Sequence, residues 1–305
     1  MSRTTSASFG SDAAMTEASL AILQKGGSSV DACVGGFFAA AGAHPGVLLG
    51  STVLLVGGTG VGFHVFDGSL LQPGKGAPRP RGFRDGDEVP TGSRIAVSPI
   101  GALLAAIHAH GGNVGMSELA NAGVRVARLS CAPGRASLLR RVGSAGPIAL
   151  RETSFARAML GAAGRAEGGN VTPDDLNEVS ATVSQPVLGN DVVSIAPPTV
   201  RLSCPAVDSV MVVACDHQGV FAVLHTAFDP DGLEIDPFEV TASRFAVPVR
   251  RGVPWTRPGT LLSMQVPIAI LTKRGVPWAS IAFNGASPVS WERLVESISP
   301  GLTLD

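Results

Sequence analysis

The chain contains no tyrosine, so no phenol is available as acid, base or nucleophile. Charge is scarce. Asp, Glu, Lys and Arg make up 15% of the 305 residues and leave a formal net charge of −1. That balance supplies no field for nucleic acid or an anionic membrane surface. Cysteine is limited to Cys33, Cys131, Cys204 and Cys215, with no CxxC spacing. Reduced thiols in a cytoplasmic protein are the expected state. No uninterrupted apolar run of about eighteen residues occurs, so no membrane-spanning helix is expected. The opening "MSRTTSASFGSD" has no apolar core of a signal peptide. What is abundant is apolar surface, 45% of residues, in a chain long enough to bury a sizeable core.

The order of patterns is informative. "SDAAMTEASLAILQKGG" (11–27) opens on capping chemistry and stops at Gly26–Gly27, which predicts a helix. A second helix is predicted from Ser29 to Pro45, with a small apolar face suited to close packing. "STVLLVGG" and "VGFHVFDG" read as two strands, followed by an irregular Pro- and Gly-rich connection (70–90). Helices are expected over 98–111, 116–128, 135–143 and 152–166, and a capped short one within 170–179. Strands follow over 182–187, 191–196, 209–215, 219–226, 241–247, 266–272 and 277–283, then a last helix, "SPVSWERLVESIS". Helices first and strands later argue against a doubly wound parallel sheet. Strands 210–215 and 266–271 are apolar on both faces, as in a layered sandwich with helices outside.

Several signals that look chemical have plainer readings. "VGGTGVGF" (56–63) carries GxGxG and is followed by a strand, so no helix N-terminus is available for a pyrophosphate; a glycine-rich hairpin is expected. "DPDGLEID" (229–236) lacks the terminal glutamate of a calcium loop and reads as a turn, with Asp229 and Asp236 able to face a cleft. His108 and His110 diverge on a helix, and His44, His64, His217 and His225 are isolated. No metal site and no cofactor are expected. In "AVDSVMVVACDHQGVFAVLHT" (206–226) a strand, a turn at Asp216–Gly219 and a second strand place one hydroxyl, Ser209, at the head of the first strand. On its own Ser209 reads as a strand-entry serine satisfying a backbone group.

Several stretches in order resemble gamma-glutamyltranspeptidases, which are N-terminal-nucleophile hydrolases. They are "AILQKGGSSVDACVGGFFAAAGAHPG" (21–46), "FDG" to "GAP" (66–78), "VSPIGALLAAIHAHGGNVGMSELANAGVRVA" (97–127) and, most specifically, "GGNVTPDDLNEVSATVSQPV" (168–187). "DSVMVVACDHQGVFAVLHT", "PGTLLSMQVPIAI" (258–270) and "FNGASPVSWERL" (283–294) continue the series. The chain is shorter than the family norm, and the gap falls between "IAPPT" (195–199) and Ser209. The resemblance implies an α+β fold, a four-layer αββα sandwich of the N-terminal-nucleophile hydrolase type with a reduced helical part. It implies one domain over 1–305, with 1–208 as the large-subunit-like part and 209–305 as the small-subunit-like part.

In that family the precursor cuts itself before a threonine, whose hydroxyl is the nucleophile and whose freed α-amine is the base. That threonine falls on Ser209, which keeps the hydroxyl. Gly285 and Ala286 take the place of the oxyanion donors, and Ser263 that of the second residue of a Ser-Ser pair. The family's Asn after the strand pair falls near Asp229, and Asp229 or Asp236 is a candidate for a substrate ammonium. Several family residues are replaced: the Thr and His after the nucleophile by Val210 and Met211, and the first Ser of the pair by Leu262. The arginine that grips a glutamyl carboxylate has no counterpart among Gly74, Lys75 and Gly76. Two readings stand. One is a self-processing amidohydrolase or acyltransferase on a small acyl or amide substrate other than glutathione, in a specialised biosynthetic pathway. The other is an uncleaved, inactive homologue that acts as a binding or subunit-interface module. A homodimer is compatible with either.

Overall fold

The computed structural model describes residues 6–58, 60–189, 191–195, 207–262 and 266–283. The chain begins with β1 (Ala7–Gly10), α1 (Ala13–Gln24) and α2 (Ser29–Ala43), then β2 (Ser51–Gly58), β3 (Gly62–Gly68) and β4 (Leu70–Leu71). A helical stretch follows: α3 (Ile100–Gly111), α4 (Met116–Leu129), α5 (Pro133–Ala145), α6 (Thr153–Ala163) and α7 (Pro173–Asn177). Next come β5 (Thr182–Ser184), β6 (Val187–Leu188) and β7 (Val192–Ser194), then β8 (Asp208–Cys215) and β9 (Val220–Phe228). The last are β10 (Leu233–Ile235), β11 (Val240–Ala242), β12 (Leu261–Leu262), β13 (Ile268–Lys273) and β14 (Val276–Ala282).

The long strands form a six-stranded antiparallel sheet, β1-β8-β9-β2-β3-β5, and a four-stranded one, β14-β13-β7-β6. The larger sheet is apolar on both faces. Leu54, Val56, Phe66, Val210, Val212, Ala222 and Leu224 turn to one core shared with α1 and α2. Val53, Leu55, Val65, Phe221 and Val223 turn the other way, onto Val193, Ile268 and Ile270 of the smaller sheet. Helices, sheet and sheet are thus stacked in an α+β sandwich. The closing helix expected over 287–299 lies outside the described residues.

The helical layer is set by local chemistry. Ser28 caps α2, and Asp31 completes the capping box. Asp31 is fully buried and also accepts the backbone N–H groups of Asn113 and Val114, tying the start of α2 to the α3–α4 link. The expected small face of α2 works as a close contact with α4. A Cβ on Gly42 would collide with the carbonyl of Gly123, so both helices require glycine there.

Several strand expectations change. The strand expected over 182–187 divides into β5 of the larger sheet and β6 of the smaller one, and β4 and β12 pair with each other where no strand was expected. β1 carries only one large apolar side chain, Phe9, which is solvent-exposed, so it has no apolar periodicity to reveal it. β10 emerges inside the expected turn at 229–236. The strand expected over 241–247 shrinks to β11, because later backbone groups bind elsewhere: Ser243 O accepts Ala96 N–H, Ala246 N–H donates to Arg94 O, and Val247 N–H donates to the Gln72 side chain. The glycine-rich stretch at 56–63 is the expected hairpin, closed by the Gly58–Gly62 pair.

Candidate active site

Ser209 is the second residue of β8, half-buried, in register with Ala227 of β9, which in turn faces Ser51 of β2. Its backbone N–H donates to Asp208 Oδ1 at 2.7 Å. Strand alternation fixes where it points. Val210 and Val212 turn to the helices and Val213 to the second sheet, so Ser209 shares the face between the two sheets. The hydroxyl is therefore held at the head of a strand, paired with β9 and past the end of β1, at a rim where Asp208 and Val207 are exposed.

One pair of strand positions deeper on the same face, Met211 of β8 is opposite His225 of β9, which faces Val53 of β2, and the row continues through Asp67 of β3 to Thr182 of β5. His225 is 4% exposed, and its Nδ1 has no hydrogen-bond partner among the described residues. Burial pushes its imidazole down to about 4.

Asp229 follows the end of β9 and is fully buried. Its carboxylate is gripped by Arg244, with Nε at 2.6 Å and Nη2 at 3.0 Å, and also accepts the N–H groups of Asp231 and Arg244. Burial pushes the carboxyl up, but the hydrogen bonds and charge of Arg244 outweigh it and hold the group below its usual range. Both oxygens are thus engaged in pinning the segment after β9. Asp236 is exposed at the tip of the β10–β11 hairpin. That tip rests on the helical layer, where Phe238 meets Phe155 of α6 and Glu239 accepts the N–H of Gly134 at the start of α5. Asp229 and Asp236 are therefore held by different surroundings. Ser263, Gly285 and Ala286 lie outside the described residues.

The loop in place of the family's arginine is fixed in detail. Asp175 of α7 accepts the N–H groups of Gly74 and Lys75, while Lys75 Nζ donates to Glu178 O at 2.7 Å. The Thr172–Asp175 capping box within "GGNVTPDDLNEV" therefore clamps this loop as well as starting α7.

No protein-family model and no curated protein matches the chain. Solved structures do. Cephalosporin acylase from Bacillus halodurans superposes with a TM-score of 0.63 at 12% identity, covering 91% of this chain and 77% of that one. LmbA2991HD gives a TM-score of 0.62 at 13% identity over 90% and 77% of the two chains. A gamma-glutamyltranspeptidase from Pseudomonas nitroreducens, complexed with L-DON, gives 0.52 at 19% identity over 61% and 69%. The chain has the N-terminal-nucleophile hydrolase fold.

Among the described residues of this sandwich, no group of three or more His, Cys, Asp or Glu is placed to hold a metal ion, and no helix is long and apolar enough to cross a membrane. Cys33, Cys131 and Cys215 form no disulfide, and burial raises Cys33 and, to about 11, Cys215. Cys204 lies outside the described residues. Two residues were missed in the sequence. Arg244 gives no signal, because it is fifteen positions from Asp229 and meets it only after β10 and β11 fold back. His225 was legible in part: the turn at Asp216–Gly219 fixes the hairpin register, and that register sets His225 opposite Met211.

Proposed function

We propose that the protein is an N-terminal-nucleophile amidohydrolase or acyltransferase with Ser209 as nucleophile. The observation that carries this is the position of Ser209: at the head of β8, paired with β9 just beyond the reach of β1, with its side chain on the face between the two sheets. In this reading Ser209 first attacks the carbonyl of Asp208, and water hydrolyses the ester to leave Ser209 with a free α-amine. That amine, near neutrality in its ordinary pKa, takes the Oγ proton as Oγ attacks the acyl carbon of the substrate. Backbone N–H groups of Gly285 and Ala286 would hold the oxyanion. The departing amine takes the proton back, and water or a second amine receives the acyl group.

The names of the neighbours, an acylase and a gamma-glutamyltranspeptidase, support an amide or acyl substrate. The clamped Gly74–Lys75–Gly76 loop offers no guanidinium for a glutamyl carboxylate, which favours a more apolar acyl group than that of glutathione. Ser263 and Asp236 remain the candidates for polar contact with it; Asp229 acts through the loop it pins. We place the protein in the cytoplasm; the scattered cysteines, of which Cys33, Cys131 and Cys215 are free among the described residues, support that placement. A second reading, an uncleaved binding or interface module, is favoured by Val210, Met211 and Leu262, which stand where the resemblance expects a threonine, a histidine and a serine.

Intact mass of the purified protein decides between the two. The enzyme reading expects two fragments divided before Ser209 and a single uncut chain for Ser209→Ala. An uncut wild type that releases no amine from simple acyl amides favours the module.

A further inference from the structure

The α-amine that serves this fold as base does not exist until the chain is cut, so the first attack by Ser209 needs another proton acceptor. We propose that His225 is that acceptor: a buried imidazole whose Nδ1 has no partner among the described residues, on the same sheet face as Ser209 and diagonal to it across the β8–β9 pair. The proposal rests on the reading of Ser209 as nucleophile.

The geometry comes from the register. Ser209 is opposite Ala227, and His225 precedes Ala227 by two residues on the same strand and therefore on the same face. Diagonal neighbours of this kind have Cα atoms about 7–8 Å apart, within reach of a ring side chain. Ala227, directly opposite Ser209, presents only a methyl group and leaves the path open. Val53 and Met211 flank His225 along its own row without offering it a hydrogen bond. A buried imidazole ordinarily has its ring nitrogens satisfied. Among the described residues nothing satisfies Nδ1 of His225, as a ring held ready for a transient partner requires. Burial keeps that ring neutral at physiological pH, so it can accept. Its low basicity makes it a slow base, which suffices for a reaction each molecule performs once.

The step balances. The Oγ proton of Ser209 passes to the imidazole as Oγ bonds to the carbonyl carbon of Asp208. The C–N bond to Ser209 then breaks, and the imidazolium returns the proton to the departing nitrogen. One water hydrolyses the resulting ester, giving the Asp208 carboxylic acid and restoring the Ser209 hydroxyl.

The test is the rate at which full chain made in a cell-free translation converts to fragments, followed by mass spectrometry after denaturing quench. Wild type, Ser209→Ala, His225→Gln and His225→Thr are compared, with a thermal melt as control. The expected result is no cutting for Ser209→Ala and cutting slowed about 100-fold or more for both His225 variants when they melt with the wild type. If those variants cut at the wild-type rate while Ser209→Ala does not, the role of His225 is overturned and the role of Ser209 stands. A wild type that stays whole ends both.

If neither variant folds, the wild-type pH profile decides. A neutral imidazole gives a rate that is level across neutral pH and falls as the ring protonates near 4. A rate that climbs about tenfold per pH unit means hydroxide takes the proton instead and overturns the proposal. Asp67 along the row is the other ionisable side chain on these strands that turns to this corner; Asp208, beside Ser209 in sequence, turns by alternation to the opposite face with Phe228, and Ile268 and Ile270, turned to the corner from β13, do not ionise.

Discussion

Asp229 shows how one side chain can look like a ligand and be a fastener. Its carboxylate is enclosed, yet four hydrogen bonds from Arg244 and the backbone of Asp231 keep it charged. Removing it leaves the Arg244 guanidinium, itself only partly exposed, without its main partner. Asp229→Ala should cost about 3 kcal/mol at neutral pH, read as a lower urea midpoint. The sign of the pH dependence follows from the lowered pKa. Above the ordinary carboxylate value of 3.8 the pair contributes fully; as pH falls from there through the folded-state value, the unfolded chain takes up the proton first and the contribution is lost. The variant should therefore show a flatter stability profile at acid pH than the wild type, and parallel profiles would contradict the assignment. In the sequence Asp229 was visible as an acidic residue in a turn, but its charge partner was not, because ion pairs across folded-back hairpins leave no local spacing.

At the scale of elements, the crossing of α2 and α4 depends on two glycines meeting. Gly42→Ala would force a methyl group into the carbonyl of Gly123 and should destabilise by about 3 kcal/mol, the upper part of the overpacking range. Gly161 in α6 provides the contrast: a Cβ there meets nothing, so Gly161→Ala should stabilise by about 0.5–1 kcal/mol. Thermal melts of the two variants should move in opposite directions. The helices and the long strands were legible because capping residues and apolar periodicity are local. The small apolar face of α2 even foretold the close approach. β1 was not legible, because four residues with an exposed Phe9 become a strand only when β8 is there to pair with them. The strand expected over 241–247 failed for the converse reason: its pattern was right, but Arg94, Ala96 and Gln72 claim the backbone groups a ladder would have used.

At the scale of the whole molecule, the order of strands matters more than their number. In the larger sheet β8 and β9 lie between β1 and β2, and in the smaller one β13 and β14 lie beside β7 and β6. Residues before and after position 208 are thus woven into both sheets. Cutting before Ser209 should leave both fragments in one particle, 31.0 kDa per copy of the chain, on native mass spectrometry or gel filtration, with the two separating only in denaturant. Fragments that separate under native conditions would contradict this shared architecture. The sandwich was readable from the sequence through strands apolar on both faces; the interleaving was not, since it depends on long-range pairing.

The short strand β1 gives this arrangement its last consequence. By pairing with Val212–Cys215 of β8, and with Ser11 Oγ just after it engaging both the N–H and the carbonyl of Met211, it occupies what would otherwise be an open edge along the strand that carries Ser209. Open edges recruit other chains. A tag or truncation at the first ten residues is therefore no neutral change: it acts on the strand that carries the proposed nucleophile, and a sample prepared that way risks clumping through the very ladder that should stay intramolecular.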